Sequence, residues 1–265
     1  MAKRVQSPSS IKLYQQCPRR YYYQYIRQLE TLPNIHQVRG NVAHTVLEKF
    51  FDANTETMDM DNFKQKLTTI LQELLFQEWA AAKPQFNKLD LSPDQNQFYF
   101  EETLLMLLNW LEHFAIEIDA QEGTFQERFK ELTPIREKFY LSKVFNVRGY
   151  IDAIEKFNNE IRVMDYKTSS SFNIHDHKLQ LAIYALLYQE LHGELPHKVG
   201  IYFLKDKPKV IKVDEQLLEF AKQEIALVHQ KTCSEDIKDY PKRPSGLCKY
   251  STGQCEFYDV CQKEE

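Results

Sequence analysis

The stretch RGYIDAIEKFNNEIRVMDYKTS, residues 148–169, constrains this chain more than any other. Two runs rich in β-formers flank Asn158 and Asn159, and asparagine tolerates the positive φ that two-residue hairpin turns require. A hairpin closed there sets Glu155 opposite Arg162, Ile154 opposite Val163 and Ala153 opposite Met164. Continued, the register pairs Asp152 with Asp165 and Tyr150 with Lys167. Alternation then puts Asp152, Ile154, Val163, Asp165 and Lys167 on one face. A slip of one residue would part the aspartates.

Directly opposed carboxylates, with Cβ atoms about 5 Å apart, repel. One of them holds a proton unless a cation lies between them. Hard carboxylate oxygens suit Mg²⁺ or Mn²⁺, and Lys167 on the same face would stabilise negative charge beside such an ion. A hairpin with its charges in solvent has the same spacing, so the stretch alone leaves both readings open.

The rest of the chain divides around this hairpin. NVAHTVLEKFF, NFKQKLTTILQELLFQEW and NQFYFEETLLMLLNWLEHFAIEI carry helical spacing, the last two separated by the loop AAKPQFNKLDLSPD. SPSSIKLYQQ reads as a helix start, interrupted by Pro18. PIREKFYLS, KVGIYFLKD and KVIKVD read as strands, and HKLQLAIYALLYQELHG as a helix capped by Gly193. EQLLEFAKQEIALVHQK is a further helix, and the tail is irregular and bears cysteines. The expectation is an α/β chain of one domain over residues 1–265. Residues 1–132 are mainly helical, 133–232 hold the sheet and its helices, and 233–265 form a cysteine-rich end.

Composition excludes more than it selects. At 43% hydrophobic and 27% charged, 265 residues suffice for a packed core. Seven glycines and the lack of GxGxxG or GxxxxGK[ST] argue against a glycine-rich nucleotide loop. The net charge of −4 gives no bulk sign of nucleic acid, although a channel needs only a local basic lining. The start MAKRVQSPSS has no apolar core, and Glu112 and His113 break the longest apolar region. A soluble, intracellular (cytoplasmic) protein without membrane contact is expected.

GYID, DYK and QLAIY, taken together, resemble the active-site motifs of the RecB-like branch of the PD-(D/E)XK nuclease superfamily. The resemblance rests on Gly149 and Asp152, Asp165 and Lys167, Gln180 and Tyr184. GNVAH is similar to the upstream histidine motif of that family, and SPSSIKLYQQCPRRYYYQY to its N-terminal CPxxY segment. The matches keep the family order from residue 7 to 261. The resemblance implies a restriction-endonuclease-like core, a mixed central sheet flanked by helices, with a large N-terminal helical region and a C-terminal cysteine-rich segment.

It also implies roles. Asp152, Asp165, Lys167, Gln180 and Tyr184 would be catalytic. His44, Asp152, Asp165 and the backbone carbonyl of Tyr166 would hold Mg²⁺ or Mn²⁺. Glu48, four residues after His44, reads as solvated. Glu137 matches a family glutamate less firmly and stays outside the metal set.

One distant cysteine, Cys17, and three late ones, Cys248, Cys255 and Cys261, are similar to the iron–sulfur subgroup. That subgroup includes AddB-type subunits and CRISPR adaptation nucleases. The resemblance implies a [4Fe–4S] cluster stapling the two ends of the chain, with a structural Zn²⁺ site as the alternative. Six residues separate Cys248 from Cys255, a longer gap than the family's CxxC. Cys233 is left over as a lone thiol.

The implied activity is phosphodiester hydrolysis by a metal-dependent DNA exonuclease preferring single strands, in repair, recombination or end processing. A helicase or repair-complex partner would go with it. Arg19 and Arg20 beside the tyrosine cluster, together with Tyr184, are candidate nucleic-acid contacts, though the same tyrosines would serve equally as packing. The alternatives are a CRISPR adaptation nuclease that trims spacer precursors and a catalytically silent DNA-binding or scaffold subunit.

Overall fold

The computed structural model describes residues 4–31, 34–157, 160–250 and 253–264. Ser7 and Ser10 cap each other's backbone to start α1 (Pro8–Gln16), with Pro8 in the first turn. Pro18 then opens the short α2 (Pro18–Tyr21), which continues into a π-type turn over Tyr22–Ile26.

A helical layer follows: α3 (Ile35–Phe50), α4 (Phe63–Ala81), α5 (Lys83–Phe86), α6 (Pro93–Asp119) and α7 (Phe125–Leu132). Reciprocal capping boxes at Asn34–Gln37, Ser92–Gln95 and Thr124–Glu127 start α3, α6 and α7. The loop expected before residue 93 contains the one-turn α5. Leu67, Leu71 and Leu75 recur every four residues along α4 and are fully buried. Each contributes about 1.5–3 kcal/mol relative to exposure.

Five strands form one sheet in the order β1 (Ile135–Ser142), β2 (Val147–Phe157), β3 (Glu160–Lys167), β4 (Lys198–Phe203) and β5 (Pro208–Lys212). Only β3 and β4 pair in parallel; the other neighbours are antiparallel, so the sheet is mixed. A parallel pair needs a crossover, here α8 (Lys178–His192). Gly193 ends α8 in the left-handed region, at φ 75°.

Then comes α9 (Glu215–Lys231). The tail, expected to be irregular, holds the two-residue strands β6 (Lys249–Tyr250) and β7 (Gly253–Gln254) and the short α10 (Tyr258–Lys263). Among the described residues no helix is long and apolar enough to cross a membrane.

Each face of the sheet carries its own core. Val42, Phe50, Leu71, Leu107 and Phe129 of the helical layer pack with Ala153, Met164, Tyr166 and Tyr202 on one side. Ile11 of α1, α8 and α9 pack with Ile151, Ile154, Val163 and Ile201 on the other.

The hairpin has the expected register near its turn: Glu155 lies opposite Arg162, Ile154 opposite Val163 and Ala153 opposite Met164. The Asn158–Asn159 turn itself lies outside the described residues. Beyond Ala153 the expected pairing is not continued. The paired positions stop at Ala153–Met164, so Tyr150 is not paired with Lys167; it lies opposite Phe139 of β1 and is exposed.

The reason is a change of side-chain phase. Ile151 and Ile154 both enter the α8-side core although three residues apart, while Ala153 enters the other. Strict alternation forbids that. β2 therefore changes phase at Asp152. β1 makes the matching change at Glu137, which has φ 46° between the pairs Arg136–Ala153 and Lys138–Ile151.

Candidate active site

The end of β3 supplies two charged side chains. Asp165 is 2% exposed, and its Oδ2 lies 2.5 Å from Lys167 Nζ. Burial pushes the Asp165 carboxyl up, Lys167 opposes the shift, and the Asp152 charge adds to it. Burial works against the Lys167 ammonium, but the Asp165 charge and hydrogen bond hold its pKa above the ordinary value. Each charge offsets part of the burial penalty on the other.

α8 fixes the carboxylate from the side. Gln180 and Tyr184 stand one turn apart on one helix face. The Gln180 amide donates to Asp165 Oδ1 at 2.7 Å and to the Tyr184 hydroxyl at 3.0 Å. Glycine at 149 has a steric cause: a Cβ there would lie 3.0 Å from the Tyr184 ring and 3.3 Å from Leu187. The bare backbone lets α8 settle onto β2.

Asp152, 8% exposed, occupies the place of a ladder bond: its Oδ2 accepts the Tyr166 amide at 2.8 Å. His44 of α3 reaches the same oxygen through Nδ1 at 3.2 Å and bonds the Tyr166 carbonyl through Nε2 at 2.9 Å. Both partners are acceptors, which without a metal favours a proton on each ring nitrogen; a bound ion would take the place of one of those protons. Burial opposes that charge, yet Asp152 and Asp165 raise the His44 pKa to about 9. The Tyr166 carbonyl, a residue 44 partner here, is also one of the expected metal ligands.

Glu137, expected outside the metal set, lies in the same cluster of ligating groups. Ligand atoms of His44, Glu137 and Asp152 all lie within 4.8 Å of one another. Burial, and then the Asp152 charge, raise the Glu137 carboxyl to about 7. One signal in the sequence could have found it. Glu137 is the β1 residue that meets Asp152 once β1 and β2 are paired, but the phase change hides this from alternation. Glu48 stays exposed, as expected.

One imidazole and several carboxylate oxygens make a hard donor set that fits Mg²⁺ or Mn²⁺. His44, Glu137, Asp152 and Asp165 would hold such an ion, which would supply Lewis-acid neutralisation of a bound phosphate and a more acidic water. Lys167 offers an ammonium to charge developing on a phosphate, and Asp165, Gln180 and Tyr184 hold it in place. Two clefts open on Lys167. One, of about 470 Å³, is lined by Lys12, His175, His177 and Lys178; the other, of about 510 Å³, by His36, Arg39 and Lys205.

The tyrosine segment lies elsewhere in the molecule. Arg19 is 6% exposed and donates to the Tyr240 carbonyl at 2.8 Å, so its guanidinium lies inside the fold and away from solvent. Arg20 pairs with Glu256 at 2.8 Å. Tyr21 and Tyr23 are fully buried, so of the two readings of this segment the structure favours packing. Tyr23 and Arg27 both bond Glu264, which ties the N-terminal segment to the tail.

The cysteines of this region are free thiols: Cys17, Cys248, Cys255 and Cys261 are half-buried and Cys233 is exposed. Burial raises the Cys255 and Cys261 thiols, and proximity to Cys17 adds to both; Cys248 also acts on Cys261. Cys17 thus lies near enough to Cys255 and Cys261 to act on both, although among the described residues no three of these sulfurs lie within 4.8 Å of one another.

Comparison with known proteins agrees with this architecture. The model of the PD-(D/E)XK nuclease superfamily matches residues 6–262. The CRISPR-associated exonuclease Cas4 of Francisella tularensis subsp. novicida is 28% identical over 120 residues, covering 45% of this chain and 58% of that protein. The chain thus spans a little over half the length of that relative. Gene 69 protein of Mycobacterium phage L5 is 24% identical over 228 residues, 77% of each chain. In fold, a crystal structure of a candidate exonuclease from Eubacterium rectale aligns with a TM-score of 0.52 at 11% identity, over 99% of this chain and 88% of that one. The family match runs unbroken through the helical layer, the sheet and the cysteine tail, and the chain belongs to the PD-(D/E)XK nuclease superfamily.

Proposed function

We propose that this protein is a divalent-metal-dependent DNA exonuclease that prefers single strands and acts as one nuclease unit over residues 1–265. The observation that carries the reading is the convergence of Glu137, Asp152 and Asp165 from three adjacent strands with His44 above them and Lys167 beside them. That set has the hard ligands for a metal and a cation for the scissile phosphate. Asp152, Asp165 and Lys167 are its catalytic centre, and Gln180 and Tyr184 position Asp165. The two clefts meeting at Lys167 favour a strand lying across it. The site is intact, which weighs against a catalytically silent subunit.

The test is cleavage of end-labelled single- and double-stranded DNA with Mg²⁺ or Mn²⁺, comparing wild type with Asp165→Ala. Metal-dependent loss of label in the wild type alone supports the reading. No cleavage by folded wild type sinks it. Trimming of spacer precursors is a second reading, favoured by the likeness to the CRISPR-associated exonuclease. Cleavage restricted to such precursors would select it.

The thiols of Cys17, Cys248, Cys255 and Cys261 are the proposed ligands of a [4Fe–4S] cluster, with Zn²⁺ as the alternative for the same four sulfurs. Cysteines from the two ends of the chain, none of them in a disulfide, suit either, and an intracellular setting with a helicase or repair partner would accord with it.

A further inference from the structure

The cleft of about 510 Å³ on the α6 side of Lys167 holds a charge arrangement that the catalytic set does not use. Arg39, 3% exposed, and Lys205 both converge on one carboxylate, that of Glu102. Lys205 Nζ lies 2.5 Å from it and 3.3 Å from the Ser170 hydroxyl. Arg39 also reaches the Thr168 carbonyl at 3.5 Å, while its buried Nε has no hydrogen-bond partner among the described residues. Burial and the neighbouring Arg39 charge hold the Lys205 pKa below its ordinary value. Two cations thus face one anion in a cleft that opens on Lys167.

Directly along α6, one turn before Glu102, stands Phe98. Its ring is 58% exposed and lines the same cleft. Solvated aromatic rings beside cationic grooves are stacking platforms for unpaired bases, since every base offers a π-face. A carboxylate resembles a phosphodiester in charge and in offering two acceptor oxygens, and an Arg–Lys pair serves either.

We propose that this cleft seats the nucleotide adjoining the scissile phosphate: Arg39 and Lys205 take its phosphate, Phe98 stacks on its base, and Glu102 occupies the phosphate's place until a strand arrives. The inference rests on the DNA-nuclease reading and deepens it. It assigns the single-strand preference to one residue, because a base paired inside a duplex cannot lie on Phe98. It also makes Glu102 an internal competitor of the substrate.

The experiment measures binding of a fluorescent single-stranded oligonucleotide and its duplex in EDTA, over a salt series, with the full chain and three variants. Cleavage by the wild type with Mn²⁺ is run alongside. Phe98→Ala is expected to weaken single-strand binding on the order of tenfold with little change for duplex. Lys205→Met should weaken both and flatten the salt dependence of log K by about 0.7 for the single strand and about 0.9 for the duplex. Glu102→Gln should bind several-fold tighter than wild type at low salt, with a steeper salt dependence.

Glu102→Gln melting like wild type but binding no tighter would overturn the competitor role. Phe98→Ala binding and cutting single strands like wild type would overturn the stacking role. In both cases cleavage by wild type leaves the nuclease reading standing. Wild type that neither binds nor cuts any DNA overturns both.

Discussion

Glu137 faces Asp152 across the β1–β2 ladder with its backbone in the left-handed region, φ 46°. For a residue with a Cβ this conformation costs on the order of 1–3 kcal/mol, and it persists where surrounding structure imposes it. Here it carries the phase change that turns two carboxylates toward one point. Glu137→Gln keeps the shape and removes the charge. We expect metal-dependent cleavage to fall by about 100-fold or more while the melting temperature in EDTA stays level or rises. Parallel rate and thermal-melt measurements check this, and full activity in the variant would remove Glu137 from the metal set.

Asp165→Asn should abolish cleavage while preserving the fold better than Asp165→Ala. The single amide oxygen can still accept from Gln180 or from Lys167, though not from both, whereas alanine leaves both donors without an acceptor. Breaking a buried pair from one side costs about 3–5 kcal/mol, and the partial exposure of Lys167 reduces that. Denaturant midpoints of the two variants, beside their rates, separate chemistry from stability.

On the proposed reading Gln180 acts through Asp165, to which its amide donates. Gln180→Leu is expected to lower kcat about tenfold with KM nearly unchanged, and Tyr184→Phe to have a smaller effect. Gly149→Ala pushes on the Tyr184 ring from beneath and should cost about 1 kcal/mol of stability. A rise in KM alone for Gln180→Leu would place it in substrate binding instead.

pH enters through a group remote from the metal cluster. Glu155 is raised to about 7 by burial, against the pull of Arg162 at 2.9 Å and with the push of Glu117. The folded state therefore binds the Glu155 proton more tightly than the unfolded chain. The associated stability is complete below about pH 4.5 and is lost as pH rises through 7. Wild type and Glu155→Gln should melt alike near pH 5, and the variant should be the more stable, by about 3 kcal/mol at most, at pH 8. Equal melting at both pH values would contradict the raised pKa.

Metal removal distinguishes the two proposed inorganic sites. EDTA should stop cleavage reversibly, Mn²⁺ should restore it, and His44→Ala should weaken Mn²⁺ binding measured by calorimetry by about 10- to 100-fold. If the proposed cysteine site is right, serine at Cys17, Cys255 or Cys261 should strip its metal from anaerobically purified protein, with Cys233→Ser retaining it. Elemental analysis decides between iron and zinc.

The sequence by itself determined what depends on neighbours in the chain. Alternation and turn chemistry gave the hairpin register from Ala153–Met164 to Glu155–Arg162, and the i, i+4 spacing put Gln180 and Tyr184 on one helix face. The order of motifs pointed to the family. Only the tertiary structure decided the rest, because it depends on which distant groups are brought together. The phase change at Glu137 and Asp152 cannot be read from either strand alone. Arg19 looked like a phosphate ligand until the tail's Tyr240 carbonyl covered it, and Glu102 sat unremarked on a long helix until Arg39 and Lys205 met it. Local periodicity fixes which face a side chain takes, and long-range packing alone settles which charge it meets there.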